Sequence, residues 1–571
     1  MLIQILYFLA LILFFLGLIT APITAQPTDE TAKKVDAYLA QWDKNDMPGV
    51  AVSIVKDGKL VYKRGLGMAN LDHDVPNSPT TLFNVASVSK AFTAASVVLL
   101  SQQGKLSLDD DIRKYVPELP QYSDTITIRH LLHHTSGIRD YGPLVRFAGL
   151  ATDSDYDEKF ILKTLARQKN ISFKPGSKYS YSNSGYFLLG VIVARVSGKS
   201  LRAFADENIF KPLGMKNTRF DDNRFEIVKN RAHGYMVGPG NSIRARSTLD
   251  TLVGDGGILT TVEDLYLWDQ NFYDPKVGGK EMIALLTTPA TLNSGEKITY
   301  AFGMWSSKYK GLKKVTHSGN VSGFRAQLVA FPDQRFSVIV LSNNSAIIPP
   351  VVVEKLAGIY LEGQFTDTAA KPKVDIASMP AGSPIREADA ARYTGIFANP
   401  DLGLMFKMNI KDGKLVQTGL AKSELPVTRT AEGHLVMVEG ESRYEMIPVV
   451  DASSAVSQMK LPRSNGQADT FVRVKAPFDS AEKLAEYVGT YYSEEFDASY
   501  QISRKGNGFI VHITDTFQAP LTPAYQDVFT TAEGQINLVF TRDDNGKISG
   551  FVFNSAWGER DVKGVVFKRK P

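Results

Sequence analysis

Residues 81–93 read Thr-Leu-Phe-Asn-Val-Ala-Ser-Val-Ser-Lys-Ala-Phe-Thr and place Ser87 and Lys90 three residues apart at the start of an apolar run. On a helix, positions i and i+3 lie on one face about one turn apart, so the lysine amine can reach the serine hydroxyl. The N–H groups of a first helical turn are unpaired, and they carry the positive end of the helix dipole. We therefore predict that this segment activates an alcohol as a nucleophile and receives an oxyanion.

The Ser-x-x-Lys pattern alone is not specific, because the chain contains five further copies. The first copy lies between two alternating apolar runs around an Asp-Gly turn, which predicts a β-hairpin in which its serine and lysine diverge. The last copy also opens a helical pattern, but its lysine, Lys483, is expected to face solvent. Only Ser87 combines a helix start with apolar surroundings. The five further copies begin at Ser53, Ser294, Ser307, Ser457 and Ser480.

The composition is that of a folded soluble protein of more than one domain. The 571 residues predict two or three domains, and the fractions of hydrophobic (43%) and charged (22%) residues are globular averages. The net charge of +5 is small and the basic residues form no stripe, which argues against a nucleic-acid partner. Since there is no cysteine, disulfides, thiol catalysis and cysteine-ligated metals are excluded.

The N-terminus has the pattern of a secretory signal. Residues 1–25 carry no charged side chain, Leu2 to Ile19 is almost wholly apolar, and small residues precede Ala25. We predict a signal peptide over residues 1–25, cleaved near Ala25, which makes the protein secreted or periplasmic. The n-region lacks Lys and Arg, and the apolar stretch approaches the roughly 20 residues of a spanning helix, so an uncleaved membrane anchor is the alternative.

The domain organisation follows from a change of pattern along the chain. Residues 26–365 mix helical and strand patterns, and residues 366–389, rich in Ala, Pro, Lys and Ser, are predicted to be a linker. Beyond it the pattern changes to short alternating strands separated by turn residues.

An internal repeat divides this last part into two. Ala391-Arg-Tyr-Thr-Gly-Ile-Phe397 recurs as Ala485-Glu-Tyr-Val-Gly-Thr-Tyr491, an offset of 94 residues. We predict two small all-β modules, residues 390–476 and 477–571, each with enough strands for an up-and-down barrel or a sandwich. The modules either only pack against the preceding domain or also shape substrate access.

A second chemistry-bearing motif is Tyr181-Ser-Asn183, and Tyr181 is the only one of the 23 tyrosines that begins Tyr-x-Asn. A buried tyrosine beside a lysine ammonium can have its phenol pKa lowered toward use as a base. An amide side chain can orient both the lysine and a substrate carbonyl. Taken alone, the segment favours a surface turn followed by a core helix over residues 185–196.

A third motif ends a strand-like run at His317-Ser-Gly-Asn320. Gly319 would let the nucleophile or a substrate backbone approach the strand closely. The N–H of Asn320 could then face the N–H of Ser87 as an oxyanion hole. The alternative is a hairpin turn with a polar histidine.

In this order, Ser87-x-x-Lys90, Tyr181-Ser-Asn183 and His317-Ser-Gly319 resemble the three active-site motifs of the serine β-lactamase and penicillin-binding protein superfamily. The Tyr-x-Asn form of the second motif resembles that of the superfamily's class C branch. This branch includes class C β-lactamases, D-alanyl-D-alanine carboxypeptidases, D-aminopeptidases and carboxylesterases of the β-lactamase type. The likeness covers nearly the whole span from about residue 30 to 363. It includes residues 49–70, 128–137, 212–215, 254–260 and 331–333.

The resemblance implies an α/β (α+β) β-lactamase/transpeptidase-like domain, with a central antiparallel sheet, a helical region and the catalytic cleft between them, followed by lipocalin-like barrels. In the family's mechanism Ser87 attacks a carbonyl, Lys90 and Tyr181 share its proton, and water releases the acyl group from Ser87. Asn183 holds Lys90 and the substrate amide, and burial depresses the Lys90 pKa. The N–H groups of Ser87 and Asn320 bind the oxyanion.

No cofactor and no metal is expected. His130, His133 and His134 are spaced so that two rings could share a helix face, but no carboxylate ligand pattern accompanies them. They also fall in a segment that matches a structural loop of the family. The α/β-hydrolase alternative is excluded because Gly-x-Ser-x-Gly does not occur.

The third motif departs from the family pattern. Class C β-lactamases and most carboxypeptidases carry lysine at its first position, where its charge helps to hold a substrate carboxylate, whereas His317 is mostly neutral at pH 7. This argues against β-lactam hydrolysis and carboxypeptidation, unless the nearby Arg325 supplies the charge instead. Histidine here, followed by two β modules, resembles the D-aminopeptidase arrangement.

We predict an exported serine hydrolase that cleaves an amide or peptide bond of a small-molecule or short-peptide substrate through an acyl-enzyme on Ser87, most like a D-aminopeptidase. The first alternative is a β-lactamase-type carboxylesterase, followed by a β-lactamase or a D-alanyl-D-alanine carboxypeptidase. A non-enzymatic scaffold is disfavoured, since every residue that the chemistry needs is present.

Overall fold

The computed structural model describes most of the chain beyond the predicted signal peptide, which lies outside the described residues, as does much of the predicted linker. No helix within the described segments is long and apolar enough to cross a membrane. The described residues are 29–150, 156–246, 251–367, 382–399, 404–419, 424–439, 442–451, 455–462, 468–478, 480–506, 508–514, 517–531, 536–557 and 560–571.

The strands that precede the predicted linker include one set of long apolar strands and several short ones. They are β1 (Val50–Lys56), β2 (Lys59–Leu66), β3 (Met68–Asn70), β4 (Val75–Pro76), β5 (Phe83–Asn84), β6 (Arg219–Phe220), β7 (Tyr235–Val237), β8 (Ile243–Ala245), β9 (Ile258–Thr260), β10 (Trp305–Tyr309), β11 (Leu312–Val321), β12 (Phe324–Phe331) and β13 (Phe336–Ser342).

The helices of the same part flank these strands or fill the stretch between β5 and β9. They are α1 (Asp29–Leu39), α2 (Lys90–Gln102), α3 (Ile128–Leu132), α4 (Tyr141–Phe147), α5 (Glu158–Ala166), α6 (Asn183–Ser197), α7 (Leu201–Ala205), α8 (Lys211–Leu213), α9 (Val262–Gln270), α10 (Gly279–Thr287) and α11 (Pro349–Leu361).

The long strands form a six-stranded antiparallel sheet in the order β10-β11-β12-β13-β1-β2. Its strands β1 and β13 are buried almost throughout because helices cover both faces. Val50 and Val52 pack with helices α1 and α11 on one face, whereas Ala51 faces the core that contains Trp268 of α9. The predicted α/β fold with a central antiparallel sheet is confirmed.

The first Ser-x-x-Lys copy forms the β1–β2 hairpin around Asp57-Gly58 that the sequence predicts. In the last copy, Ser480 caps a short helix and accepts a hydrogen bond from the N–H of Lys483. The side chain of Lys483 is half exposed and pairs with Glu486. Neither serine is therefore held against a buried amine.

The strands from Ser383 onward make two separate sheets within the described residues. One short helix, α12 (Glu387–Ala390), follows the first strand of the first sheet, and another, α13 (Ala481–Ala485), precedes the second sheet. The first sheet contains β14 (Ser383–Pro384), β15 (Gly395–Asn399), β16 (Leu404–Lys411), β17 (Lys414–Thr418), β18 (Leu425–Pro426), β19 (Thr428–Arg429), β20 (Leu435–Glu439), β21 (Ser442–Val450), β22 (Val456–Pro462) and β23 (Ala468–Val474). The second contains β24 (Gly489–Ser493), β25 (Ala498–Lys505), β26 (Gly508–His512), β27 (Gln518–Tyr525), β28 (Val528–Thr530), β29 (Ile536–Arg542), β30 (Ile548–Trp557) and β31 (Arg560–Arg569).

The two modules close differently. The eight strands β24 to β31 form a closed barrel, as predicted. The first module is a ten-stranded sheet in the order β14-β19-β20-β21-β22-β23-β15-β16-β17-β18, and β14 lies inside the predicted linker. A single buried residue, Val427, separates β18 from β19, so the chain links the end strand β18 directly to the strand next to β14 at the opposite end.

The sequence repeat corresponds to a repeated structural device. In each module a helical turn precedes a first strand that opens with a glycine, Gly395 or Gly489. An arginine on the last strand, Arg473 or Arg569, donates to backbone carbonyls of that turn. The interior of the closed barrel is continuous with the hydrophobic core of the helical region, whereas the first module has a separate core.

Candidate active site

Ser87 lies in a tight turn between strand β5 and helix α2. Strand β5 belongs to a three-stranded sheet in the order β5-β9-β6. The turn, Ala86–Ser89, is a 3-10 helix, and Ala86 has a left-handed backbone with a φ of 46°, an uncommon conformation for a residue with a side chain. Two bonds hold the turn in place: the N–H of Ala86 donates to Asn84 Oδ1 (2.9 Å), and the N–H of Ile258 donates to Ser89 Oγ (3.0 Å). Ser87 is therefore fixed by β5 and β9.

Lys90 begins helix α2, and its side chain is fully buried. Its Nζ donates to Ser87 Oγ (3.0 Å), Asn183 Oδ1 (2.9 Å) and the carbonyl oxygen of Asp255 (2.5 Å). Burial lowers the pKa of Lys90 to about 7, although the charge of Asp255 acts in the opposite direction. A large fraction of Lys90 is thus neutral near pH 7, where it can accept the Ser87 proton.

Tyr181 lies beside this pair, with its ring centroid 5.0 Å from Lys90 Nζ. Burial raises the pKa of the Tyr181 phenol, and the hydrogen bond with Ser87 lowers it only in part. The lowered phenol pKa expected from the sequence is therefore wrong, because desolvation outweighs the neighbouring charges. Tyr181 stays protonated at neutral pH and can act as a proton donor, whereas Lys90 is the better base.

Asn183 is the first residue of helix α6, and a loop carboxylate holds it there. Its N–H donates to Asp140 Oδ2 (2.5 Å), and Asp140 Oδ1 also accepts from the N–H of Gly142 (2.9 Å). A second buried carboxylate, Asp255, accepts from the hydroxyl of Tyr141 (2.8 Å). These two carboxylates fix the backbone that presents Asn183 and the Asp255 carbonyl to Lys90.

His317 is fully buried on β11 and is not a cation. Its Nδ1 lies 2.7 Å from the carbonyl oxygen of Ser318 and carries the ring hydrogen, so Nε2 accepts from the hydroxyl of Tyr300 (3.2 Å). Burial lowers the pKa of His317 to about 3, and the charge of Lys90 acts in the same direction. The third motif therefore supplies no positive charge at neutral pH.

Gly319 lies where β11 meets the turn that carries Ser87. A Cβ atom at this position would come within 2.1 Å of the carbonyl oxygen of Val85. Only glycine permits this approach, as the sequence predicts.

The N–H of Asn320 points to a free strand edge. Two-residue turns join β11 to β10 on one side and to β12 on the other, and the residues next to each turn form a hydrogen-bonded pair. The N–H groups of even-numbered residues of β11 therefore point toward β10, and those of odd-numbered residues point toward β12. Strand β10 ends at Trp305, opposite Thr316, which leaves the N–H of Asn320 beyond the end of β10. Its role in an oxyanion hole with Ser87 stays a prediction.

Arg325 does not replace the missing lysine of the third motif. It pairs directly with Asn320 across the β11–β12 ladder, and directly opposed residues point to the same face of a sheet. Gly319, which packs on the nucleophile turn, points to the other face. The Arg325 guanidinium instead donates to the carbonyl oxygen of Phe324 (2.8 Å).

Sequence reasoning missed several neighbours of the catalytic residues. Tyr300 contacts His317, and His134, which the sequence offered only as a doubtful metal ligand, stacks on Tyr181 with ring centroids 4.2 Å apart. The Nδ1 of His134 accepts from the N–H of Ser182 (3.1 Å), so this ring orients the second motif. The described residues contain no cluster of three metal-ligating side chains.

Arg560 also reaches this site, from the end of the closed barrel. Its guanidinium carbon lies 5.7 Å from the centroid of the Tyr181 ring. The sequence offered no signal for it, because nothing around Arg560 resembles a motif and its position depends on how the barrel docks.

Comparisons with known proteins match either the first domain or most of the chain. Residues 32–358 match the Beta-lactamase family model. A penicillin-binding protein of Bacillus subtilis (strain 168) is 30% identical over 429 residues, which cover 71% of this chain and 87% of that protein. A D-aminopeptidase of Gluconobacter oxydans (strain 621H) is 25% identical over 536 residues, 90% of this chain and 95% of that protein.

A solved structure shares the fold at lower sequence identity. The octameric penicillin-binding protein homologue from Pyrococcus abyssi matches with a TM-score of 0.52 at 22% identity, covering 86% of this chain and 99% of that chain.

Proposed function

We propose that this chain, which belongs to the Beta-lactamase family and is a serine hydrolase of that family, cleaves amide bonds of short peptides in the manner of a D-aminopeptidase. The observation that carries the proposal is the buried Lys90 amine, which is hydrogen-bonded to both Ser87 and Asn183. Two features narrow the substrate: His317 is neutral, and D-aminopeptidases align with this chain over both β modules.

Acylation begins with neutral Lys90, which accepts the hydroxyl proton of Ser87 while Ser87 Oγ forms a bond to the substrate carbonyl carbon. The carbonyl oxygen becomes an oxyanion at the N–H groups of Ser87 and Asn320, where each such donor is worth roughly 3 to 4 kcal/mol in other acyl-transfer enzymes. The carbon–nitrogen bond then breaks, and the leaving amine takes up a proton from the Lys90 and Tyr181 pair. An ester bond to Ser87 remains.

Deacylation repeats these steps with water as the nucleophile. Water loses a proton to Lys90 as its oxygen attacks the acyl carbon, and the Ser87 oxygen leaves and regains a proton. The raised pKa of Tyr181 supports an amide substrate, because an amine needs a proton donor to leave and Tyr181 stays protonated at neutral pH.

A substrate panel tests this proposal. We expect faster turnover of D-aminoacyl p-nitroanilides than of L-aminoacyl p-nitroanilides, short acyl esters or cephalosporins, with no turnover by Ser87→Ala. A fluorophosphonate should add one adduct to the wild-type protein in intact-mass measurements and none to Ser87→Ala. Faster turnover of cephalosporins than of D-aminoacyl amides would contradict the substrate class, and faster turnover of esters would favour a carboxylesterase.

The apolar residues 1–25 support the further proposal that the protein works outside the cytoplasm. In the native host we expect the protein in the secreted or periplasmic fraction, with a mature N-terminus near residue 26. An intact N-terminus in the membrane fraction would favour the anchor, and an intact N-terminus in the cytoplasm would contradict export.

A further inference from the structure

The hairpin that ends the closed barrel reaches over the active site. Arg560 is the first residue of β31 and lies opposite Trp557, the last residue of β30. Its guanidinium lies over the ring of Tyr181, and the side chain is half-buried. A cation from the C-terminal barrel thus lies beside a residue of the second motif.

The backbone next to Arg560 is tied to the loop that carries Tyr181. The buried carboxylate of Asp561 pairs with Lys178, and the N–H of Asp561 donates to Ser180 Oγ (3.2 Å). Ser172 Oγ donates to the carbonyl oxygen of Asp561 (3.0 Å). The hydrogen bonds of the Asp561 backbone therefore fix the position from which the side chain of Arg560 extends over Tyr181.

The guanidinium has charges near it but no hydrogen-bonded partner within the described parts of the chain. The charge of Asp140 raises the pKa of Arg560, and that of Asp255 acts in the same direction. The oxygens of Asp140 accept from the N–H groups of Asn183 and Gly142. Since a guanidinium has five N–H donors, Arg560 keeps donors that a ligand can use.

The other candidate groups for binding an anion near Ser87 are already hydrogen-bonded, neutral or on the other face of the sheet. Lys90 already donates three hydrogen bonds, and His317 is neutral. Arg325 lies on the face of the sheet away from Gly319. Arg560 is therefore the charged donor best placed to meet an anionic group of a substrate on Ser87.

We propose that Arg560 binds a carboxylate of the substrate on the leaving-group side of the scissile bond. Tyr181 lies beneath Arg560, contacts Ser87 and can give the leaving amine its proton, so a leaving amino acid would carry its carboxylate toward Arg560. A planar guanidinium binds a carboxylate through two parallel hydrogen bonds. This inference rests on the proposed function. It narrows the proposed substrates to short peptides with a free C-terminal carboxylate, and it makes the closed barrel part of the substrate-binding site.

The test compares a dipeptide with its amide, D-alanyl-glycine and D-alanyl-glycinamide, which differ only in the carboxylate. We expect wild type to favour the acid by roughly ten- to a hundredfold in kcat/KM, mainly through KM. Arg560→Ala should lose this preference, so that it reacts with the acid and the amide at equal kcat/KM, and Arg560→Lys should keep part of it. Arg504→Ala is the matched control, because Arg504 is exposed and contacts only the barrel itself.

A second readout does not need turnover. A neutral fluorophosphonate labels Ser87, and we expect the acid to slow labelling of wild type at lower concentrations than the amide, with the two equal in Arg560→Ala. Equal protection by both peptides in wild type, or an unchanged difference in both Arg560→Ala and Arg560→Lys, would overturn the role of Arg560. Failure to hydrolyse either dipeptide would instead contradict the proposed function, and the labelling experiment would still decide the role of Arg560.

Discussion

At the scale of single residues, the proposed mechanism depends on whether the Lys90 amine is neutral or protonated. Burial lowers its pKa to about 7, and the carbonyl oxygen of Asp255 lies 2.5 Å from Nζ. Three acceptors surround Nζ, which suits the charged ammonium, whereas a base must be neutral. The site therefore holds both forms in comparable amounts near neutral pH.

This balance predicts the pH dependence of acylation. Below pH 7 Lys90 is mostly charged and cannot accept the Ser87 proton, and above pH 7 it is mostly neutral. We expect the rate of Ser87 labelling by a neutral fluorophosphonate to rise with pH through an apparent pKa near 7 and then to level off. Stopped-flow or quenched labelling between pH 5 and pH 9 measures this.

Lys90→Ala is the control for that profile. It should slow labelling by several orders of magnitude and remove the rise near pH 7, with an unchanged far-ultraviolet circular dichroism spectrum. A wild-type rate that stays constant from pH 5 to pH 9, or that falls as the pH rises, would show that Lys90 is not the base.

At the scale of elements, the approach of β11 to the nucleophile turn leaves no room for a side chain at Gly319. Gly319→Ala would bring a Cβ within 2.1 Å of the carbonyl oxygen of Val85, so the turn or the strand must shift. Because a misplacement of about 1 Å can cost roughly 100-fold in rate, we expect kcat/KM to fall at least that far while the protein stays folded. Steady-state kinetics and a thermal melt measure the two effects.

Gly358→Ala is the matched control for this substitution. Gly358 lies inside helix α11, and a Cβ there meets nothing within 4 Å. Alanine in a helix interior is about 0.5–1 kcal/mol more stable than glycine, so this variant should be slightly stabilised and fully active. Equal activity of Gly319→Ala and Gly358→Ala would mean that β11 does not set the geometry of Ser87.

Sequence reasoning succeeds at this scale wherever neighbours in sequence are also neighbours in space. Ser87 and Lys90 meet because one helical turn separates them. Asn183 reaches Lys90 because it opens helix α6, which follows a motif that sequence alone identifies. The sequence predicted a lowered pKa for Tyr181, which is wrong because burial raises it. The extent of burial depends on the groups packed around the phenol, and no local sequence pattern predicts that packing.

At the scale of the whole molecule, the sequence predicts the closed barrel but not what the barrel does. The repeat predicts β modules because strand alternation and turn residues are local signals. The contact of Arg560 with Tyr181 arises from the docking of distant surfaces, which periodicity does not describe. Asp140 was missed for the same reason, since its hydrogen bond with the N–H of Asn183 joins the start of helix α6 to a segment distant in sequence.

The docking itself centres on one buried arginine. Arg139 donates to Glu495 Oε1 (2.6 Å) and to the carbonyl oxygen of Lys563, both on the barrel, and to Gln168. Both members of the Arg139 and Glu495 pair are almost fully buried. The next residue, Asp140, holds the N–H of Asn183, so the barrel and the catalytic amide share one short segment of chain.

Removal of the buried carboxylate should therefore damage both stability and activity. Glu495→Ala leaves Arg139 charged and unpaired in a buried place, which costs about 3–5 kcal/mol in comparable pairs. We expect a lower melting temperature and a lower kcat, because the segment that holds Asn183 loses its support. Glu494→Ala is the matched control: the ion pair of Glu494 with Lys169 is exposed and screened by solvent, so both quantities should stay near wild type. If Glu495→Ala melts at a lower temperature but keeps its kcat, the barrel stabilises the fold without positioning the catalytic residues.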